Sequence, residues 1–166
     1  MKKRIIPILY LVCLYIFCIF SAIATEQINV NFLYFVIALG VINMIYPFIM
    51  LINKEDSRNL FFWDMLIKLF IIPIDIIVFI MGVGGTILVF IFGGWMLGIL
   101  AFLVNSFLLL SSSMYGVCGI IKAATEKKIT VKIVVFNTIF HFCFCLDVIS
   151  SIVMYLKVRK KEKALN

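Results

Sequence analysis

Apolar residues in this chain come in long unbroken runs, not in the alternation of a half-buried strand or the spaced stripe of a soluble amphipathic helix. Ile5–Ala24 and Phe32–Ile52 are each about the 20 residues that a helix needs to cross the hydrocarbon layer of a bilayer. Leu69–Ile121 is 53 residues with Asp75 as its only charge. One helix of that length would reach ~80 Å, far more than a bilayer is thick. The chain must therefore double back inside it, with Gly82–Gly85 and Gly93-Gly94 as candidate turns. The pattern predicts spans at about 5–24, 32–52, 66–90, 95–121 and 133–156, then a basic, mobile tail over 157–166.

Such runs are helical. A helix satisfies its own backbone in lipid, whereas a barrel would show segments of about 10 residues alternating polar and apolar. The expected fold is all-α: one polytopic transmembrane helical bundle over residues 1–166, with about five spans. Four spans plus a re-entrant segment within 69–121 is the alternative. Six tight spans, turning at 82–85 and again at 105–106, are a further one. Ser57 or Asn59 is a candidate cap for the third helix, and the Tyr46-Pro47 step predicts a kink in the second.

Composition agrees with the pattern. The chain is 65% hydrophobic and 14% charged, against about half and about a quarter in soluble domains. All 15 Lys and Arg fall in four groups, Met1–Arg4, Asn53–Lys68, Lys122–Lys132 and Lys157–Lys163. Because these sit at span ends, the net charge of +7 reflects the positive-inside rule and anionic headgroups, not nucleic acid. Five spans with the N-terminus inside leave ten basic residues inside and five outside. The opposite orientation reverses those numbers, so the rule places the N-terminus in the cytoplasm. "AIA" at 22–24 also fits a signal-peptide cleavage site, although the first run is long enough to be a span.

Candidate chemistry is confined to polar residues inside the apolar runs. Asp64, Lys68 and Asp75 lie within about 40° of one another on a helix. Asp64 and Lys68 are an i,i+4 pair in the favourable order. Their place beside Trp63 and the basic loop predicts an interfacial ion pair. Asp75 is deeper, and an intramembrane carboxylate is a functional candidate by default. Gly94, Gly98, Ala101, Asn105, Ser112, Gly116 and Gly119 form one helical stripe, a surface for close helix packing within the chain, with a second copy or with a partner membrane protein.

His141, Cys143, Cys145 and Asp147 would line one face of a strand. On a helix they separate into two i,i+4 pairs, His141/Cys145 and Cys143/Asp147, on nearly opposite faces. That arrangement does not close around a metal, which needs about three or four ligands. No metal or cofactor is expected. The five cysteines, at 13, 18, 118, 143 and 145, contain no C-x-x-C and read as packing residues. Asp75, His141, Asp147 and Asn105 remain as candidate polar or proton-handling positions.

The stretches "LFFWDMLIKLFIIPI" (60–74), "LLLSSSMYG" (108–116) and "HFCFCLDVIS" (141–150) resemble a family of small multi-span membrane proteins from low-GC Gram-positive bacteria, a domain of unknown function. The resemblance implies a bacterial plasma membrane and no particular activity. The residues themselves favour a non-enzymatic membrane protein, of accessory or immunity type, acting through helix contacts with lipid and partner helices. The competing reading is a small oligomeric transporter or channel subunit using Asp75, His141 and Asp147. A membrane enzyme would need Asp and His from different spans to meet in a wet pocket.

Overall fold

The computed structural model describes residues 5–23, 30–90, 95–126, 128–129, 135–137 and 144–165. Its long helices are α1 (Ile5–Ile23), α2 (Val30–Ile52), α3 (Ser57–Phe90), α4 (Trp95–Thr125) and α5 (Phe144–Leu165). Three are long and apolar enough to cross a membrane, over Val30–Ile52, Ser57–Gly84 and Gly98–Thr125, with Ile5–Ser21 a shorter apolar helix. The chain is an all-helical transmembrane bundle.

α3 runs unbroken through Gly82–Gly85 to Phe90, and α4 begins at Trp95. In lipid, an unbonded backbone group costs several kcal/mol, more than the roughly 1 kcal/mol that glycine takes from a helix. The helix therefore persists through these glycines; Gly93-Gly94 lie outside the described residues. Pro47 and Pro73 are likewise carried inside continuous helices. In the turn before Pro73, Tyr15 of α1 donates its hydroxyl to the Phe70 carbonyl at 2.6 Å.

The end of α2 explains the tight return to α3. The amide of Glu55 donates to the Met50 carbonyl at 3.1 Å and that of Lys54 to the Leu51 carbonyl at 3.2 Å, the two bonds of a Schellman motif. Lys54 holds the left-handed position, with φ 57°. Asp56 caps α3, its carbonyl accepting from Asn59 and Leu60. The Ser57 hydroxyl instead donates to Glu126, at 2.6 Å.

Cross-helix contacts fix the directions. Phe17 lies against Phe32 and Tyr10 beside Gly40, so α1 and α2 are antiparallel. Gly40 faces Phe107 and Asn43 bonds to Ser111, so α2 and α4 are parallel. Phe61 packs on Gly119 and Gly82 on Ala101, so α3 and α4 are antiparallel. α1 to α4 thus alternate in direction around a core that includes Tyr10, Leu39, Tyr46, Trp63, Ile67, Ile71, Leu108 and Tyr115.

The fifth segment differs from the predicted 133–156 span. α5 covers Phe144–Leu165 and runs parallel to α4: Asp147 lies level with Ser113, and Met154 and Val158 join Phe61, Ile120 and Ala123 in a second core. The Ser150 hydroxyl donates to Asn137 Oδ1 at 2.7 Å. α5 runs towards the end of the bundle at which α4 finishes. There Lys161 donates to the Lys128 carbonyl at 3.0 Å, and Lys128 pairs with Asp56 and Glu126 at 2.9 and 2.8 Å. Within 69–121 the described residues form two antiparallel helices, α3 and α4. The tail is not loose: it stays helical to Leu165 because Lys, Arg, Glu and Ala are good helix formers and Val158 is buried.

A methyl at Gly82 would stand 2.6 Å from the Ala101 side chain, whereas one at Gly84 meets nothing within 4 Å. Gly82→Ala is expected to destabilise the α3–α4 pair by about 1–3 kcal/mol, and Gly84→Ala to leave stability unchanged or slightly raised. Thermal unfolding of the two variants in the same detergent checks the contrast.

Candidate functional site

Side-chain polarity within the bundle is gathered into two networks. The first links α3, α4 and α5. Lys68 Nζ donates to Asp147 Oδ1 at 2.5 Å and to the Ser151 hydroxyl at 2.8 Å. It also lies 2.8 Å from Asp64 Oδ1, one turn back on its own helix. Ser113 of α4 donates to Asp147 Oδ2 at 3.3 Å, and Ser151 donates to the Asp147 carbonyl at 2.8 Å. Side-chain exposure is 2% for Lys68, 0% for Asp64 and 3% for Asp147. The contact between Asp64 and Lys68 is a close ion pair that lacks hydrogen-bond alignment, so neither Asp64 oxygen has a hydrogen-bond partner among the described residues.

Helical geometry builds this cluster. Positions 64 and 68 stack on one face because α-helical side chains four apart overlap, and 147 and 151 do the same on α5. The two faces meet across α3 and α5 at a point ~16 Å along α3 from Ser57. A lysine at that depth has no water for its ammonium, and anions from its own chain replace the hydration shell. Breaking a buried pair of this kind by removing one partner typically costs 3–5 kcal/mol, through the charge left behind.

The second network joins α1, α2 and α4. Asn43 donates through Nδ2 to the Ser111 carbonyl at 3.2 Å and accepts at Oδ1 from the Tyr115 hydroxyl at 2.8 Å. Tyr10 and Ser111 share a hydrogen bond at 3.0 Å, and Ser111 also donates to the Leu108 carbonyl at 2.9 Å. Tyr10, Asn43, Ser111 and Tyr115 are all fully buried. Within lipid such bonds, together with close packing, hold helices together, because apolar burial gives little preference between a neighbour and a lipid tail.

The sequence candidates fall as follows. Asp64 and Lys68 do pair, with both side chains buried among the helices. Asp147 faces Lys68. Asp75 is half-buried, and among the described residues its Oδ1 and that of Asn105 have no hydrogen-bond partner. Along the stripe, Ala101 and Gly119 pack on α3, Ser112 donates to the Leu109 carbonyl, and Gly116 is buried. Gly98, Ala101 and Asn105 line a groove of about 320 Å³ with Val78, Phe79 and Gly82. Gly94, His141 and Cys143 lie outside the described residues, and Cys145 is described in its backbone alone. No group of three metal-ligating side chains occurs among the described residues.

The resembling stretches 60–74, 108–116 and 141–150 converge here. The first supplies Asp64 and Lys68, the second Ser113, the third Asp147. A family profile matches residues 3–161. The chain belongs to DUF6652, a family of unknown function. No curated protein and no solved structure matches it. In this DUF6652 chain the matched region takes in both networks, α5 as far as Lys161 included.

Ser113, Ser151, Asn43, Tyr10 and Tyr115 were not singled out by the sequence as site residues. Their signal was present in outline: a lone Asn in α2, a hydroxyl cluster at 111–113, and Ser150-Ser151 on the same face as Asp147. Asn43→Ala leaves the Tyr115 hydroxyl and the Ser111 carbonyl without their partner and should cost about 1–3 kcal/mol. Tyr115→Phe removes one bond and should cost about 1 kcal/mol. Unfolding midpoints in detergent, compared between the two, check this order.

Proposed function

We propose that the chain is a non-enzymatic, multi-pass protein of the bacterial plasma membrane that acts through helix contacts as an accessory or immunity-type partner of another membrane protein. The observation that carries this reading is the use made of polar side chains. Lys68, Asp147, Asn43 and Tyr115 bond across the chain's own helices, α3 to α5 and α2 to α4. What faces outward is apolar: Ile76, Ile77, Phe79 and Ile80 on α3, and Ile99, Leu100, Phe102 and Leu103 on α4. That surface suits lipid and a partner's helix.

Both termini are cytoplasmic in this reading. Lys54, Arg58, Lys122, Lys128, Lys157, Arg159, Lys160 and Lys161 lie on the loops and helix turns at one end of the bundle, and basic residues favour the inner face. A cytoplasmic reporter fused after Asn166 should be active and a periplasmic one silent; the reverse pattern contradicts the orientation. A photo-crosslinking residue at Phe102 should capture a membrane protein in native membranes. Adducts with lipid alone would sink the partner reading.

A second reading, an oligomeric transporter or channel subunit, draws on Asp75 and Asn105, whose buried Oδ1 atoms have no hydrogen-bond partner among the described residues. It expects Asp75→Asn to abolish a pH-dependent flux in proteoliposomes while the protein still accumulates normally. Unchanged flux removes its basis.

A further inference from the structure

The outward side of α5 changes character within one turn. Ile149, Val153, Leu156 and Lys160 fall within about 60° of one another on a helix, and the first three are 59%, 51% and 53% exposed. Asp147, Ser151, Met154 and Val158 lie on the opposite side, buried against α3 and α4. Beyond Leu156 the outward residues are cationic: Lys157, Arg159, Lys160 and Lys161 are all exposed. A helix face that turns from apolar to cationic at one level marks where hydrocarbon gives way to headgroups. Tyr155 stands at that level against Phe62, with 6.0 Å between ring centroids, as aromatic side chains do at this boundary.

The acids near this end of the bundle are already engaged. Asp56 and Glu126 hold Lys128 at 2.9 and 2.8 Å, Glu126 also takes the Ser57 hydroxyl, and Glu55 accepts from Asn59 at 3.2 Å. Lys161 donates to the Lys128 carbonyl. Lys157, Arg159 and Lys160 have no ion-pair partner among the described residues. Lys160 continues the apolar face, and Lys157 and Arg159 flank it on either side. Three adjoining cations at the headgroup level call for an anion from outside the chain, and the anion found at that level is a lipid phosphate.

We propose that Lys157, Arg159 and Lys160 bind the phosphate of an anionic phospholipid whose acyl chain lies along Ile149, Val153 and Leu156. The Arg159 fork takes two phosphate oxygens and the lysines act as point charges. Lipid then holds the outer side of α5, while Asp147 and the second core hold its inner side. This goes beyond the helix-contact reading and does not depend on it, nor on which side of the membrane this end faces. It requires only that the bundle sits in a bilayer containing anionic lipid.

The test uses the full chain in an uncharged detergent, melted with added phosphatidylglycerol, with phosphatidylcholine of the same acyl chains, or with inorganic phosphate. A ligand that binds the folded chain raises its melting temperature by mass action. Phosphatidylglycerol is expected to raise it by several degrees, the other two by little. In the triple variant Lys157→Gln, Arg159→Gln, Lys160→Gln, the melting temperature without lipid stays at the wild-type value, because these exposed side chains have no ion-pair partner to lose among the described residues, and most of the rise with phosphatidylglycerol disappears. A charge-matched control, Lys2→Gln, Lys3→Gln, Arg4→Gln, keeps the rise, as does Lys157→Arg with Lys160→Arg. A wild type indifferent to phosphatidylglycerol overturns the proposal. So does an equal rise with phosphatidylcholine or inorganic phosphate, or an equal loss in the charge-matched control, which would mean diffuse attraction to net charge. A triple variant that fails to fold without lipid also overturns it, since the three side chains would then be structural.

Discussion

An ammonium ion three turns into a transmembrane helix has to find its counter-charge inside the protein, and Lys68 finds it on two sides. Asp64 lies one turn back on α3, and Asp147 comes from a helix 79 residues further along the chain. The first partner is local and needs no fold. The second exists only if the fold lays α5 against α3. This ion pair therefore joins local sequence to global topology. It rewards one placement of α5 over every rotation that would turn Asp147 towards lipid, where a lone carboxylate is expensive. Met154 and Val158, packing on Phe61, Ile120 and Ala123, fix the same placement nearer the bundle end.

Once α5 is set this way, the charges of the chain sort themselves. The return between α2 and α3, the segment after α4 and the end of α5 meet at one end, where Lys128 pairs with Asp56 and Glu126 and Lys161 caps the Lys128 carbonyl. These partly exposed pairs are each worth little alone. Their role is to gather the loops. A five-crossing chain would have left its basic tail facing the opposite side from its other basic loops. α5, parallel to α4, instead sets Lys161 beside Lys128, next to the α2–α3 return.

Run length made the first four helices legible. The helix spacing rule also gave the Asp64–Lys68 pair, but one helix could not say that Asp147 of α5 would meet the same ammonium. For the last segment, length suggested a helix over 133–156, and the described helix covers Phe144–Leu165. Which neighbours it meets, Lys68 for Asp147 and Asn137 for Ser150, is chosen by packing across the chain. The same applies to Asn43, which a single helix marks as polar without saying that Ser111 and Tyr115 will meet it.

The dependence of the fold on the α3–α5 ion pair is measured most directly by a double-mutant cycle on Lys68→Met and Asp147→Leu, read as unfolding free energy in detergent. Each single change leaves a buried charge without its main partner, so each should be strongly destabilising, and the double variant should cost far less than the two together. A coupling of about 2 kcal/mol or more is the predicted result. Additive costs, or single variants as stable as the wild type, would contradict the claim that this pair anchors α5.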